Sequence, residues 1–144
     1  MKKYKSISSI LGFSSFTLDD DNSLEYISLA SEGLASDTIN NFRVYYDLSI
    51  GQVSAILGTS EPTLYRKIKS NQKLSTSDGI KLLEVTDLYI YGEKVFESRE
   101  NFFKWLELPN TALGGLIPSK VIEYPEGISK IRDLLNRIEF GVYS

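Results

Sequence analysis

Between Ser75 and Phe96 apolar residues recur at helical spacing on two sides: Leu82, Val85, Tyr89 and Phe96 form one stripe, Leu83, Leu88, Tyr91 and Val95 another. A helix apolar on one side needs one neighbour, whereas a helix apolar on two sides belongs at the centre of a helical assembly. Ser75 followed three residues later by Asp78 has the spacing of a capping box and predicts the start of this helix. The flanking segments share the helical period. Leu24, Ile27 and Leu29 precede Gly33, placed as a terminating glycine. Ile39, Phe42, Val44 and Tyr46 follow a cap at Ser36 or Asp37, and Val53, Ile56 and Leu57 lie between Ser49 and Gly58. Further helices are expected over Arg99–Leu106, after Pro118 and after Pro125, the last carrying Ile128, Ile131, Leu135 and Ile138 until Gly141. No stretch alternates strongly enough to make a strand, so the chain reads as all-α.

The bulk numbers limit what such a chain can do. At 144 residues with 42% apolar and 24% charged side chains, it suits one compact domain or two small helical modules. The net charge of −3 leaves no global field for nucleic acid, so DNA contact would need a local basic face. There is no Cys, which excludes disulfides and thiolate metal sites, and no His, which removes the commonest general base and metal ligand. Carboxylates, Lys, Ser and Tyr remain, but no catalytic constellation gathers them, and no metal or cofactor is expected. No apolar run approaches the roughly 18–20 residues needed to span a bilayer. Lys2, Lys3 and Lys5 precede a Ser-rich stretch without an A-x-A-like cleavage site, which fits the basic arm of a cytoplasmic protein better than a secretion signal. Residues 1–22 are accordingly expected to form a flexible N-terminal arm. Within it Asp19-Asp20-Asp21-Asn22 lacks the alternate acidic spacing, Gly and distal Glu of a calcium loop, and reads as a solvated linker.

Residues 48–70 have the layout of a helix-turn-helix, with Val53, Leu57, Leu64 and Ile68 placed to pack two short helices across a Gly-containing turn. Ser60 is positioned to cap the second helix, with Glu61 and Pro62 in its first turn. From Ser60 to Lys73 four cations stand against one carboxylate, Glu61, on a chain that is negative overall. The DNA-facing candidates are Ser60, Glu61, Thr63, Tyr65, Arg66, Lys67, Lys69 and Lys73. Thr63, Tyr65 and Arg66 are assigned to base edges, and Lys67, Lys69 and Lys73 to phosphates. A solvated basic face on an ordinary helix pair accounts for the same residues without any ligand.

Downstream, Trp105-Leu106-x-x-Pro109-Asn110-x-x-Leu113-Gly114-Gly115-x-x-Pro118 is a rigid Pro/Gly connector, unusual in an all-α protein. Trp105 is expected to anchor a core. This string, with Glu126-Gly127, Leu135-x-Arg137-Ile138-Glu139-x-Gly141 and Tyr143, resembles the Xre/MbcA/ParS antitoxins. In these a toxin-binding C-terminal domain follows an Xre-like helix-turn-helix. The resemblance extends upstream through Gly33-Leu34, Leu48-Ser49, Leu57-Gly58, Thr63-Leu64-x-Arg66, Leu74-Ser75, Asp78 and Val95-Phe96, covering about residues 30–144. It departs from the family at Leu116 and Ile117, where a polar or basic residue and then Ser/Thr are usual, and at Tyr124, where Thr is frequent. Lys81 and Glu84 stand where arginines are frequent.

The resemblance implies a cytoplasmic, homodimeric type II antitoxin that neutralises a RES-domain, NAD⁺-consuming toxin by binding over its active site. It also implies autorepression through operator DNA. With the arm over 1–22, which lies outside the resemblance, the expected organisation is a helix-turn-helix module over 23–98 and a small helical toxin-binding module over 99–144 on which it packs. Carried onto this chain, the toxin contact falls on Arg137, Glu139, Phe140, Gly141, Val142, Tyr143 and Ser144. On residue chemistry alone, Phe140 and Tyr143 either project into a partner's cleft or fold back onto the core. The alternative function is a stand-alone helix-turn-helix regulator whose C-terminal domain serves dimerisation or ligand sensing.

Overall fold

The computed structural model describes residues 4–13 and 23–141, and two compact units divide between Thr86 and Asp87. All regular structure among the described residues is helical, with two isolated bridges, Ala35 to Lys73 and Asn110 to Leu116. No helix of the described residues is long and apolar enough to cross a membrane.

The first unit contains α1 (Ile7–Leu11), α2 (Ser23–Glu32), α3 (Asp37–Tyr45), α4 (Ile50–Leu57), α5 (Glu61–Ser70) and the leading half of α6 (Thr76–Phe96). Its centre is α3, which packs on α1, α4 and α5. Phe42 and Tyr46 are buried with their rings edge to face, 5.2 Å apart, and Val53, Leu64, Leu82 and Leu83 are likewise sealed from water.

Helix α1 corrects part of the sequence reading, which ran a flexible arm to residue 22. Ile7, Ile10 and Leu11 are buried, Ser6 Oγ accepts from the Ser9 N–H, and Gly12 ends the turn at φ 82°. Asn41 Nδ2 donates to the Leu11 carbonyl at 2.8 Å, closing the helix end from α3. Lys5 lies over the Tyr45 ring at 5.3 Å. Five residues cannot hold a helix in water, so this one depends on the surface of α3, which the local serine content hides. The acidic run Asp19–Asn22 lies outside the described residues. The inward face of α2 also differs from expectation: Tyr26 and Ala30 are buried while Leu24 and Ile27 are exposed. Ala30 sets it, since a Cβ built on Gly79 of α6 would sit 3.1 Å from the Ala30 methyl. In α3, Val44 faces outward as well.

The second unit holds the trailing part of α6, α7 (Arg99–Leu106), a 3-10 turn at Thr111–Leu113, α8 (Pro118–Val121) and α9 (Gly127–Glu139). The division therefore falls inside α6, not after residue 98, because residues 88–96 pack with α7. Phe102 is fully buried against bare backbone: a Cβ at Gly92 would lie 2.2 Å from its ring carbons. Tyr89, Phe96 and Trp105 surround Phe102 at centroid distances of 5.7, 6.0 and 6.3 Å, which makes Trp105 part of the core cluster as expected. Helix α9 buries Ile131, Leu134 and Leu135.

Alanine in a helix interior ordinarily gains stability over glycine by about 1 kcal/mol. At position 92 the sign should reverse, because the added methyl meets the Phe102 ring. Gly92→Ala is expected to destabilise the protein by about 2–3 kcal/mol in urea unfolding, with Trp105 emission shifted to the red as the ring cluster around it loosens.

Candidate functional site

Local capping builds the helix-turn-helix. The Ser49 hydroxyl accepts from the Gln52 N–H and the Gln52 side chain accepts from the Ser49 N–H, a complete capping box at the start of α4. Gly58 closes α4 at φ 69°, a left-handed turn that costs little without a side chain. The Ser60 hydroxyl then accepts from the Thr63 N–H and donates to the Thr63 hydroxyl at 2.8 Å. Asn71 ends α5 in the left-handed region. Leu64 is the buried anchor of α5, and Val53, Ile56 and Leu57 are those of α4.

These constraints sort the eight DNA-facing candidates. Ser60 and Thr63 are spent on each other and on the cap. Glu61, Tyr65, Arg66 and Lys69 are exposed on α5, Tyr65 to 58%. Lys67 is held by Asp78 on α6 at 3.2 Å, both partly buried. Lys73 lays its alkyl chain over Gly33 and donates Nζ to the Glu32 carbonyl at 3.3 Å, at the C-terminal end of α2. Two of the four cations expected to face solvent are thus engaged within the unit. The sequence signal for the first was Asp78 itself, three residues after its Ser75 cap. Lys73 left no such trace.

The second candidate surface is the end of α9. Arg137 and Phe140 are exposed, Phe140 to 71%, and Gly141 turns the chain at φ 65°. Phe140 is thus not folded back onto the core. Glu139 accepts from the Tyr91 hydroxyl at 2.7 Å, while Arg132 lies over the Tyr91 ring at 5.1 Å and pairs with Asp87. The carboxylate expected at a partner contact is therefore already oriented by α6. Val142, Tyr143 and Ser144 lie outside the described residues.

Residues 92–141 match the model of the antitoxin Xre/MbcA/ParS C-terminal toxin-binding domain, and residues 25–85 match that of the antitoxin Xre-like helix-turn-helix domain. The chain belongs to the Xre/MbcA/ParS antitoxins. A protein of Sphingobium sp. (strain YBL2) described as "Prs ADP-ribosylating antitoxin" is 24% identical over 130 residues, which is 84% of this chain and 82% of that protein. Helix α1 precedes both matched segments. The division within α6 lies just after the first of them.

In this antitoxin the Tyr91–Glu139 contact was invisible in sequence, since 48 residues separate the partners. It has a measurable consequence. Partial burial first, then the hydrogen bond and charge of Glu139, push the Tyr91 hydroxyl up to about 12, against the opposing pull of Arg132. The folded state thus holds this proton more tightly than the unfolded chain, where a tyrosine titrates near 10. The stabilisation is present below about pH 10 and is lost as pH rises through about 12. Phenolate absorbance of the wild type minus that of Tyr91→Phe should rise near pH 12, and Glu139→Gln should move that step towards 10.

Proposed function

We propose that this antitoxin neutralises a RES-domain, NAD⁺-consuming toxin by seating the end of α9 over the toxin's active site, and represses its own operon through α5. The observation that carries the first half is Phe140, an aromatic side chain held in water at the close of a rigid helix inside the matched toxin-binding segment. Arg137, Glu139, Phe140 and Gly141, with Val142, Tyr143 and Ser144 beyond them, form the proposed contact. The relative's printed name supports the chemistry, because ADP-ribosylation consumes NAD⁺. The chain acts by binding, as a cytoplasmic homodimer, and not as an enzyme.

For DNA, the exposed set on α5 concentrates the proposal on Tyr65, Arg66 and Lys69, with Glu61 at the leading end. Thr63 supports from its half-buried place. Lys67 and Lys73 contribute field but reach phosphate only by giving up Asp78 and the Glu32 carbonyl. Ser60 acts through the cap.

Deleting Val142–Ser144 should weaken rescue of cells expressing the neighbouring toxin while leaving DNA binding unchanged; full rescue by the truncated chain refutes insertion of the tail. Arg66→Ala should lower operator affinity about 10-fold or more in a gel shift and flatten its salt dependence. Lys67→Ala should cost less in binding than Arg66→Ala. Equal binding by Arg66→Ala and wild type across salt concentrations removes α5 from the DNA interface.

A further inference from the structure

The end of α9 opposite Phe140 borders a recess of about 350 Å3. Leu116, Val121, Tyr124 and Pro125 supply its apolar lining, and Lys120 and Lys130 its cations. Leu116 is 60% exposed and Tyr124 67% exposed, so two large apolar side chains gain little from folding.

Both sides of the recess are held rigidly. The Asn110 N–H donates to the Leu116 carbonyl at 3.0 Å and the Gly115 N–H to the Asn110 carbonyl at 2.9 Å. Asn110 Oδ1 accepts from the Ala112 N–H at 2.9 Å, and Gly114 and Gly115 both take positive φ. Opposite them, Glu126 sits at φ 65° and Gly127 lies so close to the Val121 carbonyl that no side chain fits there. A preformed apolar recess with exposed walls is the form a partner site takes.

Three observations select the partner. The recess lies wholly inside residues 92–141, matched to a toxin-binding domain. Helix α9 has 13 residues, so its two ends are about 20 Å apart. A standard interface covers about 800 Å2 per partner, roughly 30 Å across, so a protein seated on Phe140 reaches the recess. The lining also carries two ammonium groups against one carboxylate, Glu126, with Lys120 shared with Glu123 at 3.7 Å.

We propose that this recess is a second anchor point for the toxin, taking one large apolar side chain flanked by an acidic residue. The inference rests on the toxin-binding function proposed above. The test uses the full antitoxin and the toxin purified from its neighbouring reading frame, with affinity measured by calorimetry. Leu116→Glu, at an exposed position, should keep the wild-type melting temperature and operator binding while weakening toxin binding about 30-fold. Lys130→Glu should weaken it several-fold, more at low salt. Wild-type affinity in Leu116→Glu overturns the anchor; if the tail deletion still impairs binding, the toxin-binding function stands without it. No binding by the wild type overturns both. A fall in the mass of the free antitoxin on Leu116→Glu would assign the recess to a second copy of this chain, and would overturn the toxin assignment.

Discussion

Helix α6 is apolar on more than one side and supplies buried side chains to each of the two units, Leu82, Leu83 and Val85 to the first and Leu88 to the second. Leu82, Leu83, Val85 and Leu88 are each removed from water, which no single neighbouring helix could accomplish. Polar groups on so buried a helix must be satisfied locally. Thr86, fully buried, returns its hydroxyl to the Leu82 carbonyl at 2.7 Å, and Glu93 pairs with Arg99 at 3.0 Å. Where a closer approach is needed, the side chain disappears: Gly79 admits Ala30, and Gly92 admits the Phe102 ring. The flanking helices are short and mostly too weak to persist alone, so their stability derives from these contacts.

The two proposed surfaces are produced differently. Helix α5 is positioned by its ends, through Gly58, Ser60 and Asn71, and by one buried side chain, Leu64. Its exposed face is then thinned by the unit's own electrostatics, since Asp78 claims Lys67, while Lys73, beyond the helix end and itself exposed, reaches back to the Glu32 carbonyl. The outward cationic and aromatic set on α5 is compact: Tyr65, Arg66 and Lys69, with the Glu61 carboxylate at the leading end. Helix α9 is instead positioned along its length by Ile131, Leu134 and Leu135. Its ends present Phe140 on one side, beyond the Tyr91–Glu139 hydrogen bond, and border the recess on the other, where Gly127 packs against the Val121 carbonyl.

The departures from the family pattern acquire a location. Leu116 and Tyr124, where polar residues are usual, line the same recess. Helix starts α8 and α9 have no side-chain cap, with Ile117 and Glu126 at their N-cap positions. Pro118 and the close backbone packing at Gly127 hold these helices in place of caps.

Legibility followed the range of the interactions. The all-helical class, the start of α6 at its Ser75 cap, the Ser49, Gly58 and Ser60 signals, the helix-turn-helix and the inward placing of Ile131 and Leu135 on α9, though not of Leu134, were determined by sequence alone, because caps, turns and helical periods act over three or four residues. The chain by itself also excluded histidine and cysteine chemistry. Only the tertiary structure decided that Ile7–Leu11 forms a helix, that α2 buries Tyr26 and Ala30 rather than Leu24 and Ile27, and that the units divide within α6. It alone decided which cations on the basic face stay exposed, that Tyr91 orients Glu139, and that Leu116 and Tyr124 share a recess. Each of those outcomes depends on partners brought together from distant positions, and pairing at that range follows from packing, which no local spacing encodes.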